Sequence, residues 1–382
     1  MVYHLKFQTI SVLLLLIFCK QSASGQCFVC KNAPEGTIWC DDFEDNIPLS
    51  QKYFEYNNNS GDFIRLDKVG RDQTYGMRVK WQKGEVSAGS LSKSFGKTPD
   101  SYIGKNAARP GEHFDEIYWR MDVMSQDGWK GGGPAKLSRA LCLANSNWAQ
   151  GMMAHLWSGG TNDLYLGMDP ASGIGLDGKL KSTKYNDFNN LRWLGFKSGT
   201  TPIYNTINSG IWFCIVGHVK LNSPGQKDGI FEFWINDTLQ ASSKNLDWHS
   251  TWNQDSTNMH INAIFFENYW NSGSPVDQER YFDNLVISTK PIPCICNTTK
   301  TEEKQNNTLL KIYPNPGQNK IKLDIPEVHL PTNGVVFDQN NKIVLELTIQ
   351  TSKEPIELNN LHPGIYILKI AKMKPIKLVI LK

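Results

Sequence analysis

The sequence predicts an all-β protein, a β-jelly-roll sandwich followed by a second, smaller β-sandwich, and three observations carry that prediction. Between Cys27 and Pro293, short aromatic or β-branched runs recur at intervals of roughly ten to twenty residues, separated by Gly, Asn, Ser and Pro. Helical periodicity is almost absent there. Between Asp115 and Asn236 these runs alternate strictly, with Ile117, Trp119, Met121 and Val123 on one face, continued by Met152, Ala154 and Leu156, by Phe213, Ile215, Val219 and Leu221, and by Phe231, Phe233 and Ile235. Successive side chains on a strand point to opposite sides, so these residues line an interior. Finally, a polar stretch without apolar periodicity, CNTTKTEEKQNNT, separates this body from further strand-like runs.

The chain opens with Lys6, an apolar run from Val12 to Phe18 and then Ser22, Ala23, Ser24 and Gly25. This is the layout of a secretory signal peptide over residues 1–25, too short in its apolar core to remain as a membrane span. Phe18 before Cys19 argues against a lipoprotein cleavage site. Cys27, Cys30 and Cys40 cluster near one end of the body and Cys294 and Cys296 near the other, with Cys142 and Cys214 inside strands. In an exported protein such clusters read as disulfide staples, and the alternative is a metal site from Cys27, Cys30, Cys294 and Cys296. Seven cysteines after cleavage leave at least one thiol unpaired within the chain.

Two acidic segments are expected to lie side by side: CDDFEDN, Cys40 to Asn46, at the first strand and RYFDNLVIST, Arg280 to Thr289, at the last. Similar segments adjoin in concanavalin A-like sandwiches and bind a structural calcium, which makes Glu44 and Asp283 the candidate ligands. Without the two lysines of the leader and the eleven lysines and eight acids of residues 301–382, the body holds 27 basic and 29 acidic residues. That balance gives no general attraction to nucleic acid, so any anionic partner must be met by local cations.

The other face of the alternating strands carries Tyr118, Arg120, His155, Trp157, Tyr165, His218, Lys220, Glu232 and Trp234, expected to form one outer sheet surface. The segment DEIYWRMDVMSQDGWKGGGPAKLSRALCL, Asp115 to Leu143, holds an E-x-Y-x-R strand, a Gly-rich turn with Trp129 and G-G-x-x-K-L. It resembles the core of β-jelly-roll polysaccharide lyases that cut glucuronan, alginate and related uronate polymers. The family's K-L-P-G-L stands here as Lys136-Leu137-Ser138-Arg139-Ala140, keeping the lysine and losing the Pro-Gly. The segment Phe265 to Thr289 is similar to the family's closing aromatic loop and last strand. The resemblance implies β-elimination without a catalytic cofactor: a cation neutralises the uronate carboxylate, a base removes the C5 proton and an acid protonates the leaving oxygen.

On that reading Lys136 is the neutraliser with Arg120 as helper, and His155 and Tyr165 divide the proton transfers, with His218 and Tyr269 next in line. An imidazole near its reference pKa is a competent base. Tyr118, Arg120, Arg139, His218, Lys220 and Trp234 are expected to bind an anionic polysaccharide such as ulvan, glucuronan or alginate. Trp157, Trp234 and Tyr269 offer stacking faces for sugar rings. Two other readings use the same fold: a non-catalytic carbohydrate-binding sandwich, and a glycoside hydrolase, for which only Glu116 and Glu232 are well placed.

From Leu309 the runs IYPNP, IKLDI, GVVFD, KIVLEL, LHPGIYILKI and KLVILK follow. They resemble the C-terminal sorting domain of the type IX secretion system of Bacteroidetes. The organisation expected is a signal peptide over 1–25, a lyase body over 26–296, a linker over 297–308 and a sorting domain over 309–382. The partners implied are the substrate and the secretion machinery, for a monomer that is secreted or held at the cell surface.

Overall fold

The computed structural model describes residues 30–33, 35–160, 162–252, 259–294, 311–325, 330–339, 342–352, 355–370 and 375–381. The leader, Cys27, Cys296 and the linker lie outside them. The body is built from β1 (Thr37–Asp41), β2 (Glu55–Asn57), β3 (Phe63–Leu66), β4 (Gly76–Trp81), β5 (Ser87–Ser94), β6 (Glu116–Ser125), β7 (Lys136–Leu143) and β8 (Gln150–Trp157). It continues through β9 (Tyr165–Ser172), β10 (Arg192–Trp193), β11 (Lys197–Pro202), β12 (Phe213–Lys220), β13 (Gly229–Ile235), β14 (Thr238–Leu246), β15 (Ala263–Tyr269) and β16 (Gln278–Ser288). The strands form two eight-stranded sheets. The first runs β14-β13-β12-β6-β16-β4-β3 with β1 against β16, and the second β10-β9-β8-β7-β15-β5-β2 with β11 against β9.

Every residue of the alternating apolar set is buried in one core between these sheets. Trp119 of the first sheet reaches across it, its indole N–H donating to Ser138 Oγ of the second at 3.1 Å. Gly217 lies opposite Trp119 in the β6–β12 register, where a Cβ would come within 2.4 Å of the indole. Only glycine admits the ring there.

The acidic segments do adjoin: β1 pairs with β16, Cys40 opposite Val286 and Asp41 opposite Leu285. Backbone amides engage both candidate ligands. Asp283 accepts from the backbone N–H of Arg71 at 2.8 Å and of Asn284 at 2.7 Å, and Glu44 accepts from the N–H of Tyr75 at 2.8 Å. The two carboxylates thus hold the loop before β4, and burial pushes Asp283 up to about 8. Nearby, the Lys52 ammonium bonds Asp41 and Asp45, occupying the place of a cation between those carboxylates. Among the described residues no three His, Cys, Asp or Glu are grouped to hold a metal.

Two disulfides form among the described residues, Cys30–Cys40 and Cys214–Cys294, while the Cys142 thiol is buried 3.3 Å from Met259 Sδ. The second differs from the expected stapling of the termini, since Cys294 is tied to a strand of the first sheet. Asn236, at the turn after β13, donates its backbone N–H to the Cys214 carbonyl and accepts the Cys214 N–H, which seats this end of β12.

The tail has its own core, with Ile321, Leu323, Val336, Leu368 and Leu378 buried together. Its strands are β17 (Lys311–Tyr313), β18 (Lys320–Asp324), β19 (Thr332–Phe337), β20 (Ile343–Ile349), β21 (Ile356–Glu357), β22 (Gly364–Ile370) and β23 (Ile376–Ile380), in sheets β17-β18-β21 and β20-β19-β22-β23. Lys369 reaches the body, pairing with Asp127 at 2.9 Å. With Asp127 80% exposed, such a pair contributes at most about 1 kcal/mol. A chain ending at Thr298 should therefore show the same body melting transition by calorimetry as the full chain, and a drop of several degrees would mean that the tail supports the body.

Candidate functional site

The polar residues expected on one surface occupy both outer faces of the sandwich. Tyr118, Arg120, His218, Lys220, Glu232 and Trp234 belong to β6, β12 and β13 of the first sheet, whereas Lys136, Arg139, His155, Tyr165 and Tyr269 belong to β7, β8, β9 and β15 of the second. The chain crosses from one layer to the other between β6 and β7, which separates the E-x-Y-x-R strand from the lysine that follows it.

On the second sheet, Arg139 stands opposite His155 on β8 and Phe265 on β15, and His155 stands opposite Asp169 on β9. Lys136 pairs with Tyr269 beyond a register shift in β15. Tyr165 alternates with the buried Leu166 and so lies on this same outer face. Because Trp157 is opposite Gly167, Tyr165 falls at the end of the sheet that also carries Lys136 and Tyr269.

Arg139 is fully buried and committed. Its guanidinium donates to Glu267 Oε1 at 2.7 Å, to Asn186 Oδ1 at 2.8 Å and to the Tyr185 hydroxyl, which itself donates to Glu267 at 3.2 Å. It is a pillar between β7, β15 and the loop before β10, with its two terminal nitrogens engaged by protein groups and Nε buried without a hydrogen-bond partner among the described residues. Lys136 differs. Its ammonium stands 4.7 Å from the centre of the Tyr269 ring and 3.9 Å from Glu267, a looser ion pair. Burial, then Arg139, lowers its pKa from the ordinary lysine value, while Glu267 acts to raise it.

His155 is 1% exposed, and its ring is stacked against Trp157 at 4.2 Å, with Trp193 lying 6.0 Å from the imidazole and 5.9 Å from Trp157. Its Nδ1 faces the Asp169 carbonyl at 3.2 Å, so that nitrogen carries the hydrogen and Nε2 keeps a lone pair with no hydrogen-bond partner among the described residues. Burial, followed by the field of Arg139, pushes its pKa well below 6.5, which corrects the expectation of an ordinary titration. A histidine depressed in the folded state binds its proton more readily when unfolded, so its contribution to stability is present above the unfolded value near 6.5 and is lost as pH falls below it. His155→Gln is expected to flatten the fall in Tm between neutral and mildly acidic pH. An unchanged slope would mean that other groups, such as the buried His249, set it.

The first sheet tells against the remaining expectations. Arg120 is fully buried, pairing with Asp122 at 3.1 Å and donating to the Pro293 carbonyl at 2.9 Å, so it neither assists Lys136 nor meets a ligand. His218 lies between two carboxylates, Nε2 at 2.8 Å from Glu116 and Nδ1 at 3.3 Å from Glu232, and stacks on Tyr118 at 4.1 Å. An imidazole therefore fills the space between the two acids that a glycoside hydrolase would need open. Lys220 ends β12 opposite Glu116 and Ile230.

Sequence reasoning missed Glu267, Tyr185, Asp169 and Trp193. Glu267 stands two residues before Tyr269 on the same face, a strand-period signal that was present. Tyr185 and Trp193 come from the loop after β9 and from β10, which carry no alternation to reveal them. Burial pushes Asp169 up to about 6 beside this face.

Residues 311–381 match the model of the secretion system C-terminal sorting domain. The chain thus carries the domain that directs type IX export, and it is a secreted or cell-surface protein. Among solved structures, the chain is similar to an endo-β-1,4-glucuronan lyase from the fungus Trichoderma reesei, at 11% identity over 66% of this chain and 96% of that one with a TM-score of 0.42. It is also similar to the alginate lyase vAL-1 from Chlorella virus, at 14% identity over 62% and 91% with a TM-score of 0.42. A third is the PL-14 alginate lyase from Aplysia kurodai, at 14% over 66% and 99% with a TM-score of 0.42. No curated protein matches the chain.

Proposed function

We propose that this chain is an exported polysaccharide lyase that cleaves a uronic-acid-containing polymer by β-elimination on the outer face of the second sheet. The observation that carries the reading is the Lys136 ammonium standing over the Tyr269 phenol, beside a second cation, Arg139, that is fully buried with its terminal nitrogens bonded to Glu267 and Asn186. Lys136 is then the cation left to meet a substrate carboxylate. Neutralising that carboxylate acidifies the C5 proton beside it, and the effect is strong because burial already weakens the hydration of the ammonium.

The proton leaves C5 for a base, its electron pair forms the C4–C5 double bond, the C4–O bond breaks and the departing oxygen takes up a proton. Tyr269, in contact with Lys136, and Tyr165, at the same end of the face, supply phenols for donation and return. His155 offers the unprotonated Nε2, set behind Trp157, and serves as base where that indole moves aside for substrate. Trp157 and the 43% exposed Trp193 form a stacked indole platform suited to neighbouring sugar rings. The test is ultraviolet absorbance of unsaturated uronate while the protein is incubated with ulvan, glucuronan, alginate and glycosaminoglycans. Rising absorbance with one polymer supports the reading and names the substrate. A flat trace across all of them would overturn it in favour of a non-catalytic carbohydrate-binding sandwich.

A further inference from the structure

The first sheet carries a groove remote from Lys136, on the opposite face of the sandwich. It holds about 340 Å³, within the range of small-ligand sites, and Tyr118, Trp234, Glu232, Asp237, Pro291 and Pro293 line it. Its floor is the outer face of β6, β12 and β13, where Tyr118 and Trp234 are half-buried. The Tyr118 ring is fixed from the side by its parallel stack on His218, 4.1 Å away with the planes 3° apart, and His218 is itself held by Glu116 and Glu232.

The wall is the segment after β16, and it is anchored at three points. The Cys214–Cys294 disulfide ties it to β12, the buried Arg120 donates to the Pro293 carbonyl at 2.9 Å, and Asp237 accepts the Cys294 N–H at 2.8 Å. Proline-rich chain fixed in this way loses little freedom when a ligand enters, so the groove is preformed.

Its chemistry selects the ligand. The lining has aromatic and proline faces and two carboxylates, with no Lys or Arg among the described lining residues. A uronate carboxylate entering it would lose water and meet two carboxylates, with the nearest ammonium, Lys244, outside the lining and already paired with Glu232 at 3.4 Å. A neutral β-linked pyranose chain fits both features. Its equatorial hydroxyls leave flat C–H faces for the indole and phenol, and the hydroxyls that project sideways donate to Glu232 and Asp237.

We infer that this groove is a second carbohydrate site, one that binds neutral β-linked pyranose chains while the opposite face deals with the charged polymer. The consequence is a protein able to grip uncharged segments or neighbouring polymers of the same matrix, which raises the local concentration of uronate at the other face.

The test is titration calorimetry of the full-length mature protein with xylohexaose and cellohexaose, and with an oligoglucuronate of the same length. The inference expects a neutral oligosaccharide to bind, Trp234→Ala to weaken it about tenfold or more with an unchanged melting temperature, and Trp234→Phe to restore most of the affinity. Lys136→Ala should leave neutral binding as it was, so failure of the lyase reading and failure of this one are separable. Undetectable neutral binding at millimolar sugar would overturn the inference, as would neutral affinity indifferent to Trp234. An oligoglucuronate whose affinity depends on Trp234 would overturn it too, and so would light scattering showing that the groove instead joins two copies of the chain.

Discussion

Lys136→Ala is expected to lower kcat by about 10²-fold or more, with a much smaller change in polymer affinity. On the transition-state scale such a loss is about 2.7 kcal/mol. Carboxylate neutralisation is worth most while negative charge builds at C5, and ground-state contacts along the chain are shared with the Trp157 and Trp193 platform. The split between kcat and KM, read from initial rates of unsaturated uronate formation, decides the role. A near-normal kcat with a raised KM would make Lys136 a binding residue only. Lys136→Arg keeps the charge but replaces a compact ammonium with a planar fork beside Tyr269, so partial activity is the expected result.

The largest expected loss of stability comes from Arg139→Met. Removing the guanidinium leaves the mostly buried Glu267 without its closest cation and leaves Asn186 Oδ1 without its donor. Breaking one side of a buried pair in this way costs about 3–5 kcal/mol. Denaturant unfolding should show it directly. The double variant Arg139→Met with Glu267→Gln is expected to be milder than Arg139→Met alone, because the Glu267 carboxylate is then gone, although Lys136 loses its looser partner at 3.9 Å. Equal losses in the two would mean that packing of the Arg139 stem, against the Tyr185 and Phe265 rings, outweighs the ion pair.

Much of the body was legible because strand period is a local signal. Ile117, Trp119, Met121 and Val123 had to share a face, and they do, in the company of every other residue of that apolar set. The pairing of the first and last strands followed from the two acidic segments, and their carboxylates hold the loop at Arg71 to Tyr75. Backbone amides and a lysine ammonium satisfy a carboxylate as a cation does, and nothing in the run CDDFEDN distinguishes those partners. The site was legible in part. Lys136, His155, Tyr165 and Tyr269 do share a sheet, while Arg120 and Arg139 read as exposed cations and are buried pillars.

By itself the sequence determined that the chain is all-β, where its interior lies, that a separate sorting unit ends it, and which residue types are available for chemistry. These depend on alternation, composition and short motifs, which act within a few residues. Only the tertiary structure decided which outer face each polar residue occupies, because period 2 separates inside from outside but is blind to which of two sheets a strand joins. The crossing between β6 and β7 put Tyr118, His218 and Trp234 on one side of the molecule and Lys136, His155 and Tyr269 on the other. It also decided charge and access: Arg139 found Glu267 128 residues away, and His155 was sunk beneath Trp157, since burial and long-range partners set an ionisable group's state and no local pattern encodes them.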